Sequence, residues 1–151
     1  GAKFLIVGDN DSTYSKYIKK LIPSNCKKYF YFFDEVDNIF DFYELSDLFV
    51  STSYQESFPM VLLYAMAFEL PIVSSNVNGI LEMLSTESAL LINPGDVNKL
   101  FSCLVQMIKD ENLRKTLKLN SKSKFLRYYK ESKVMPLYQE FIESIILYKQ
   151  K

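Results

Sequence analysis

The stretch Asp47–Glu82, DLFVSTSYQESFPMVLLYAMAFELPIVSSNVNGILE, decides the architecture of this chain. It opens with a short apolar run, Leu48-Phe49-Val50, and passes into a polar loop from Ser51 to Phe58. Pro59 precedes an unbroken helix-forming run, Met60 to Phe68. A turn at Glu69-Leu70-Pro71 leads to the β-branched pair Ile72-Val73 and a second polar loop ending at Asn78-Gly79. Strand, loop, helix, strand and loop in so short a span is the rhythm of a parallel α/β sheet. Pro59 suits the first turn of the helix, where its missing N–H is not needed. A helix start also offers backbone N–H groups with the helix dipole behind them, which makes the junction suited to an anion such as a phosphate.

Upstream, Lys3 to Val7 reads as a buried parallel strand ending at Gly8-Asp9-Asn10-Asp11. Gly8 stands where α/β proteins bring ligands close to the backbone, but no full G-x-G-x-x-G is present, and an ordinary turn fits it better. Tyr14 to Ile22 has helical periodicity, with Ser12 or Thr13 as N-cap and Pro23 beyond it. Tyr29 to Phe33 reads as an aromatic strand packed in a core, and Asn38 to Leu45 as a short helix. Downstream, Ser88 to Ile92 is the last strand, stopped by Asn93-Pro94-Gly95. Asp96 caps a helix over Val97–Lys109 with Leu100, Leu104, Val105 and Ile108 on one face. Asn112 is expected to cap a second helix and Pro136 to start a third, whose stripe Tyr138, Phe141, Ile142, Ile145 and Ile146 reads as core. The expected sheet holds strands near 3–8, 29–33, 47–51, 71–74 and 89–92, all parallel, with the ligand crevice at their C-terminal ends.

At 151 residues the chain is one domain, large enough for a true core, and with 48% hydrophobic and 15% aromatic residues it is globular. No apolar run approaches the roughly 18 residues of a membrane span, and no signal peptide is visible. Cys26 and Cys103 show no metal-ligand spacing and point to a reducing compartment. The absence of histidine excludes a His general base, a Ser-His-Asp triad and a His metal site within these residues. Net charge is zero but split, with twelve Lys/Arg against five Asp/Glu over residues 99–151. That balance argues against a general nucleic-acid binder and leaves a basic half able to meet an anionic surface.

The order and spacing of several of these pieces resemble the nucleotide-sugar-binding, C-terminal half of a family 4 (group 1) glycosyltransferase of GT-B fold. The residues that carry the resemblance are Asp47-Leu48-Phe49-Val50, Ser53, Glu56-Ser57-Phe58-Pro59, Val61-Leu62-Leu63, Ala65-Met66-Ala67, Pro71-Ile72-Val73, Asn78-Gly79 with Glu82, and Leu90 to Asp96. It extends weakly to Leu5-Ile6-Val7-Gly8-Asp9, covering roughly residues 3 to 130. The resemblance implies a Rossmann-like parallel sheet with helices on both faces, lacking its first strand–helix unit. By family topology that strand lies between Lys3–Val7 and Asp47–Val50, and its loop carries the Arg and Lys that clamp the diphosphate. An N-terminal acceptor domain is implied as well, so these 151 residues alone are expected to be inactive, and to form oligomers or be unstable unless a partner strand is supplied.

By the same resemblance, Glu56 is the catalytic carboxylate beside the donor sugar, and Ser57, Phe58, Pro59, Met60 and Val61 form the loop and helix start that meet sugar and diphosphate, Pro59 without an N–H to give. Read from the residues alone, Glu56 fits a solvated charge favoured by the helix dipole better than a functional carboxylate. Gly8 and Asp34 are assigned to the nucleotide side, Asp34 standing where the family has a glycine. Asn78 and Gly79 are placed in a loop that approaches the ligand, and Glu82 either orients that loop or faces solvent. The family's second glutamate, seven intervening residues after the first, falls on Tyr64. That side chain either points into the crevice and offers the ribose one hydrogen bond or turns inward as core.

The implied activity is retaining transfer of a sugar from a nucleoside-diphosphate sugar to an acceptor glycan, lipid or protein, with no cofactor and no metal. Partners are then the nucleotide-sugar donor and an acceptor held by the missing domain, with no nucleic acid, and with peripheral membrane association and oligomers compatible. The location implied is the cytoplasm or the inner face of its membrane. Two other classes compete: a non-catalytic GT-B subunit, favoured by Tyr64 and the missing basic pair, and another sugar-nucleotide enzyme of the same fold, such as an epimerase.

Overall fold

A computed structural model describes residues 1–149, which divide into two compact units meeting at Leu45 and Ser46. In the first unit β1 (Phe4–Val7) and β2 (Phe30–Phe33) pair in parallel, Phe4 opposite Phe30 and Val7 opposite Phe33. Helix α1 (Thr13–Leu21) makes the connection, as a parallel pair requires. Its periodic sequence is helical because Ser12 closes the first turn, its Oγ accepting from the Ser15 amide at 3.1 Å. Asp9 in turn accepts from the amides of Asp11 and Ser12 and fixes the loop into α1. Helix α2 (Phe40–Glu44) follows within the span expected for it.

Neither strand of this pair is the buried strand that its apolar sequence suggests. Phe4, Leu5 and Ile6 are 37–39% exposed, in a sheet of two strands only. β2 alternates, with Tyr31 and Phe33 exposed and Phe30 half-buried, its ring stacked on Phe4 at 4.7 Å between centroids.

The second unit contains β3 (Phe49–Ser51), β4 (Ile72–Ser75) and β5 (Leu90–Ile92), parallel and in the order β3-β4-β5. All five strands fall where expected and every pairing is parallel, but they form two sheets among the described residues rather than one. β4 is central and all four of its residues are buried, which explains its continuous apolar and small sequence. Helices α3 (Met60–Ala67), α4 (Asn78–Met83), α5 (Val97–Lys109), α6 (Glu111–Tyr128) and α7 (Glu131–Lys149) complete the unit. Val73 and Ile92 of the sheet meet Cys103 and Met107 of α5 and Leu117 of α6, with Leu100, Leu104 and Leu113 around them. α3 packs along α6 and buries Leu62, Ala65 and Met66 completely.

Several boundaries differ from the sequence reading. Pro59 is the N-cap of α3, extended at ψ 114°, rather than a residue of its first turn, and the Leu62 amide bonds to its carbonyl. Asp110, not Asn112, caps α6 by accepting from the Leu113 amide at 2.9 Å. Its own amide donates to Gln106 O and ends α5, so one residue serves both helices at a junction with no spare residue. α7 starts at Glu131, and Pro136 lies inside it. The α7 stripe expected as core is instead exposed, from 42% at Ile145 to 62% at Phe141, since α6 is its main neighbour.

The turn after α3 is a Schellman motif, with the Leu70 amide bonded to Ala65 O and that of Glu69 to Met66 O. It forces Glu69 to φ 57°, a position that favours glycine. Lys122 of α6 offsets that cost, donating to Ala67 O and pairing with the Glu69 carboxylate at 3.7 Å.

Burial pushes the Cys103 thiol above its ordinary pKa, the nearby Lys99 charge opposing and the Asp96 charge adding to the effect. At mildly alkaline pH a raised pKa leaves less thiolate, the reactive form. We expect a thiol reagent to modify the half-exposed Cys26 first in the native protein and Cys103 only on unfolding. Equal rates, read by mass spectrometry, would contradict this packing of α5.

Candidate functional site

The loop between β3 and α3, Thr52 to Pro59, crosses the C-terminal end of the second sheet, where β4 delivers Ser75 and Asn76. Its conformation is fixed by hydrogen bonds that begin in the core. Ser75 is fully buried, and its Oγ donates to the Ser53 carbonyl at 2.6 Å. Ser53 Oγ donates in turn to Glu56 Oε1 at 2.8 Å. The Glu56 carboxylate is thus held in place by a hydroxyl whose own backbone is tied to β4. Neutral-to-charged bonds of this kind are stronger than neutral ones.

The second clamp is steric. Gly79, in the first turn of α4, lies against the Ser57 backbone so closely that a Cβ there would stand 1.6 Å from the Ser57 carbonyl oxygen. Its amide donates to Glu56 O at 3.2 Å. Gly79 is therefore buried beneath the loop, not part of a loop approaching a ligand. Asn78 does not end a loop either but opens α4 and is exposed. This helix was legible in Ile80, Met83 and Leu84, whose i, i+3, i+4 spacing is that of one buried helical face.

A third clamp comes from the end of α6. Phe58 meets Tyr129 edge to face, with ring centroids 5.8 Å apart and planes at 68°. The Tyr129 hydroxyl donates to the carbonyl of Glu82 in α4 at 3.2 Å, and Lys124 Nζ donates to the same oxygen at 3.0 Å. Burial, the Glu82 carboxylate and Tyr128 together push the Tyr129 phenol above its ordinary pKa, so it remains a donor at neutral pH. Glu82 itself is solvent-exposed and contributes its backbone here.

Between these clamps lies a cleft of about 300 Å³ lined by Tyr54, Gln55, Glu56, Asn76, Val77 and Asn78. Asn76 is braced by Asn93, Nδ2 to Oδ1 at 2.9 Å, and the Tyr54 hydroxyl lies over Gly95, a turn residue at φ 79°. One half-buried carboxylate beside three side-chain amides is a donor-and-acceptor set that matches the hydroxyls of a polyol. At the loop's far end α3 starts at Met60 with no side-chain oxygen bonded across its first turn. Met60 and Val61, both exposed, stand at the N-terminal, electropositive end of this eight-residue helix.

Of the residues read from the sequence, Glu56, Ser57, Phe58, Pro59, Met60, Val61, Asn78 and Gly79 come together here. Tyr64 is half-buried on α3, one turn beyond Met60. Gly8 and Asp34 belong to the first unit, each just past the end of its strand. Gly8 has φ 147°, and its amide donates to Phe33 O at 3.0 Å, while Asp34 is exposed. Sequence reasoning passed over Ser75, Tyr54, Gln55, Asn76 and Tyr129. A serine ending a β-branched run could have pointed to Ser75, because a hydroxyl buried at a sheet's C-terminal end needs a partner. Nothing local distinguishes Tyr129, whose contacts are with Phe58 and Glu82, far off in sequence. Among the described residues no cluster of His, Cys, Asp and Glu could hold a metal ion, and no helix is long and apolar enough to cross a membrane.

Comparison with known proteins gives this geometry a context. Residues 1–110 match the family described as Glycosyl transferases group 1. The N-acetyl-alpha-D-glucosaminyl L-malate synthase of Bacillus anthracis is 27% identical over 148 residues, covering 96% of this chain and 38% of that protein. Among solved structures, Anabaena HepE in complex with UDP superposes with a TM-score of 0.82 at 22% identity, over 95% of this chain and 40% of its own. The sucrose-phosphate synthase of Thermosynechococcus elongatus gives 0.83 at 23% identity, over 95% and 38%. The fold is therefore the Rossmann-like α/β fold of the GT-B enzymes. The chain spans about two fifths of the length of each of these relatives.

Proposed function

We propose, since this chain belongs to the glycosyl transferases of group 1, that it is the donor-binding part of a retaining enzyme that transfers a hexosyl group from a nucleoside-diphosphate sugar to an acceptor glycan, lipid or protein. The observation that carries this reading is the Glu56 carboxylate, fixed by Ser53 at the edge of an amide-lined cleft and followed at once by the start of α3. In this assignment the cleft takes the sugar, with Gln55, Asn76 and Asn78 on its hydroxyls, and the Met60 and Val61 end of α3 takes the diphosphate. As the glycosidic bond breaks, negative charge grows on the leaving diphosphate and positive charge on the sugar. The helix end opposes the first and Glu56 the second, and such preorganised electrostatics is usually the largest catalytic contribution. The scheme needs no metal or cofactor. The acceptor is assigned to a further domain of the same protein, at the cytoplasmic face of a membrane when the acceptor is a lipid.

The test is titration of the full-length protein with nucleoside-diphosphate sugars, together with a transfer assay. Binding with turnover supports the transferase, and absence of binding refutes it. A non-catalytic reading is favoured by one observation, the phenol of Tyr64 where the resemblance calls for a ribose-binding carboxylate. Tyr64→Glu separates the two. If Tyr64 faces the ribose, the added charge tightens nucleotide binding about tenfold, because bonds to charged groups exceed neutral ones by roughly 1–2 kcal/mol. Unchanged affinity with a lowered melting temperature places Tyr64 in the core and favours a domain that has given up its donor site.

A further inference from the structure

We infer that Tyr129 is a positioning residue for the donor loop, acting through Phe58. This rests on the donor reading of the cleft and goes beyond it, to the side chain that sets where the loop stands. The loop is tied at Ser53 by Ser75 and at Glu56–Ser57 by Gly79. Both ties lie upstream of Phe58, the last residue before the α3 cap. Downstream, Pro59 is buried and its carbonyl accepts from the Leu62 amide. Ser57 and Phe58 thus span two anchors and, without a contact of their own, would move between them and vary the spacing between Glu56 and the α3 amides. Tyr129 supplies that contact at 5.8 Å. Its ring is not loose, because the hydroxyl is bonded to Glu82 O in the last turn of α4, the helix whose first turn carries Gly79. One side chain therefore links both ends of the clamp, Phe58 on the loop and α4 beneath it. Tyr129 follows the last residue of α6, and its own amide still bonds back to Phe125 O at 2.9 Å. Phe58 is 42% exposed even so, so the contact governs the loop's placement more than the burial of the core.

The experiment uses the full-length protein with Tyr129→Phe, Tyr129→Ala, Phe58→Ala and the Tyr129→Ala/Phe58→Ala pair, with Tyr148→Ala on the exposed face of α7 as control. The readouts are UDP-glucose affinity by calorimetry and amide exchange of residues 53–61 in the free protein. Tyr129→Ala is expected to weaken binding about three- to tenfold and to speed exchange in the loop, the range that loss of an aromatic edge contact implies. Tyr129→Phe keeps the ring but loses the bond to Glu82 O, and its affinity should fall between those of the wild type and Tyr129→Ala. Because Tyr129 acts through Phe58, the double variant should be little worse than either single one. Additive losses, or wild-type affinity and exchange in Tyr129→Ala, would overturn the inference. A wild-type protein that binds no nucleotide sugar would sink the donor reading instead. Loop exchange, which needs no ligand, then decides the Tyr129 contact by itself: faster exchange upholds it, unchanged exchange overturns it.

Discussion

Replacing Gly79 with alanine is expected to destabilise the protein by about 3 kcal/mol, lowering the melting temperature by roughly 6–12 °C, and to weaken donor binding at the same time. The new Cβ would meet three atoms of Ser57 backbone, at 1.6, 2.2 and 2.8 Å. No side chain can swing aside to relieve this, so either α4 or the donor loop must move. Moving either breaks the Gly79–Glu56 hydrogen bond and releases the carboxylate from its place beside the cleft. Alanine at neighbouring Asn78, which is exposed, should leave the melting temperature within about 2 °C. Calorimetry on the two variants decides the matter. A Gly79→Ala protein as stable as its parent would mean that the α4–loop contact is not held in solution.

Glu56→Gln is expected to cost catalysis without costing the fold. The amide keeps an oxygen that can accept from Ser53 Oγ, so the hydrogen bond survives while the charge is lost. Under the proposed mechanism kcat should fall about 10²- to 10³-fold with little change in KM, the pattern of an interaction made chiefly in the transition state. Ser53→Ala should cost less, about tenfold, since it loosens the carboxylate but leaves it charged. A Glu56→Gln enzyme of full activity would return Glu56 to the role of a charge at a helix start.

The strands and most helices were legible because each is governed by local rules. Apolar runs stop at Gly8, Asn76 and Asn93, and Ser12 and Asp96 cap the helices they precede. The division into two sheets was legible only as a gap in the expected order, for which sequence alone offers no geometry. In the candidate site, Glu56 and its loop were picked out by the family resemblance, but what holds them could not be read. Gly79 reads as a loop glycine until its distance to Ser57 is known, and Tyr129 reads as one tyrosine among several at the end of a basic helix. Side-chain pattern reports which face of an element is buried. It does not report which distant backbone atom that face meets. The exposed apolar face of α7 is the converse case: its periodicity declares a buried stripe, and the described residues leave that stripe uncovered.

The strand order β3-β4-β5 also bears on how the chain reaches this state. Consecutive strands are neighbours in space, and each parallel pair is bridged by a single helix-bearing connection, so the loops to be closed are short for parallel pairing. Ser46 onward can then assemble along its own sequence, with shorter-range contacts than a parallel sheet whose neighbours are distant in the chain. The donor loop is drawn from the first of these crossovers, but Tyr129 arrives only when the end of α6 docks. The Thr52–Pro59 loop would be among the last parts of the unit to settle, with its backbone path laid down early and its final placement waiting on a helix that emerges later from the ribosome.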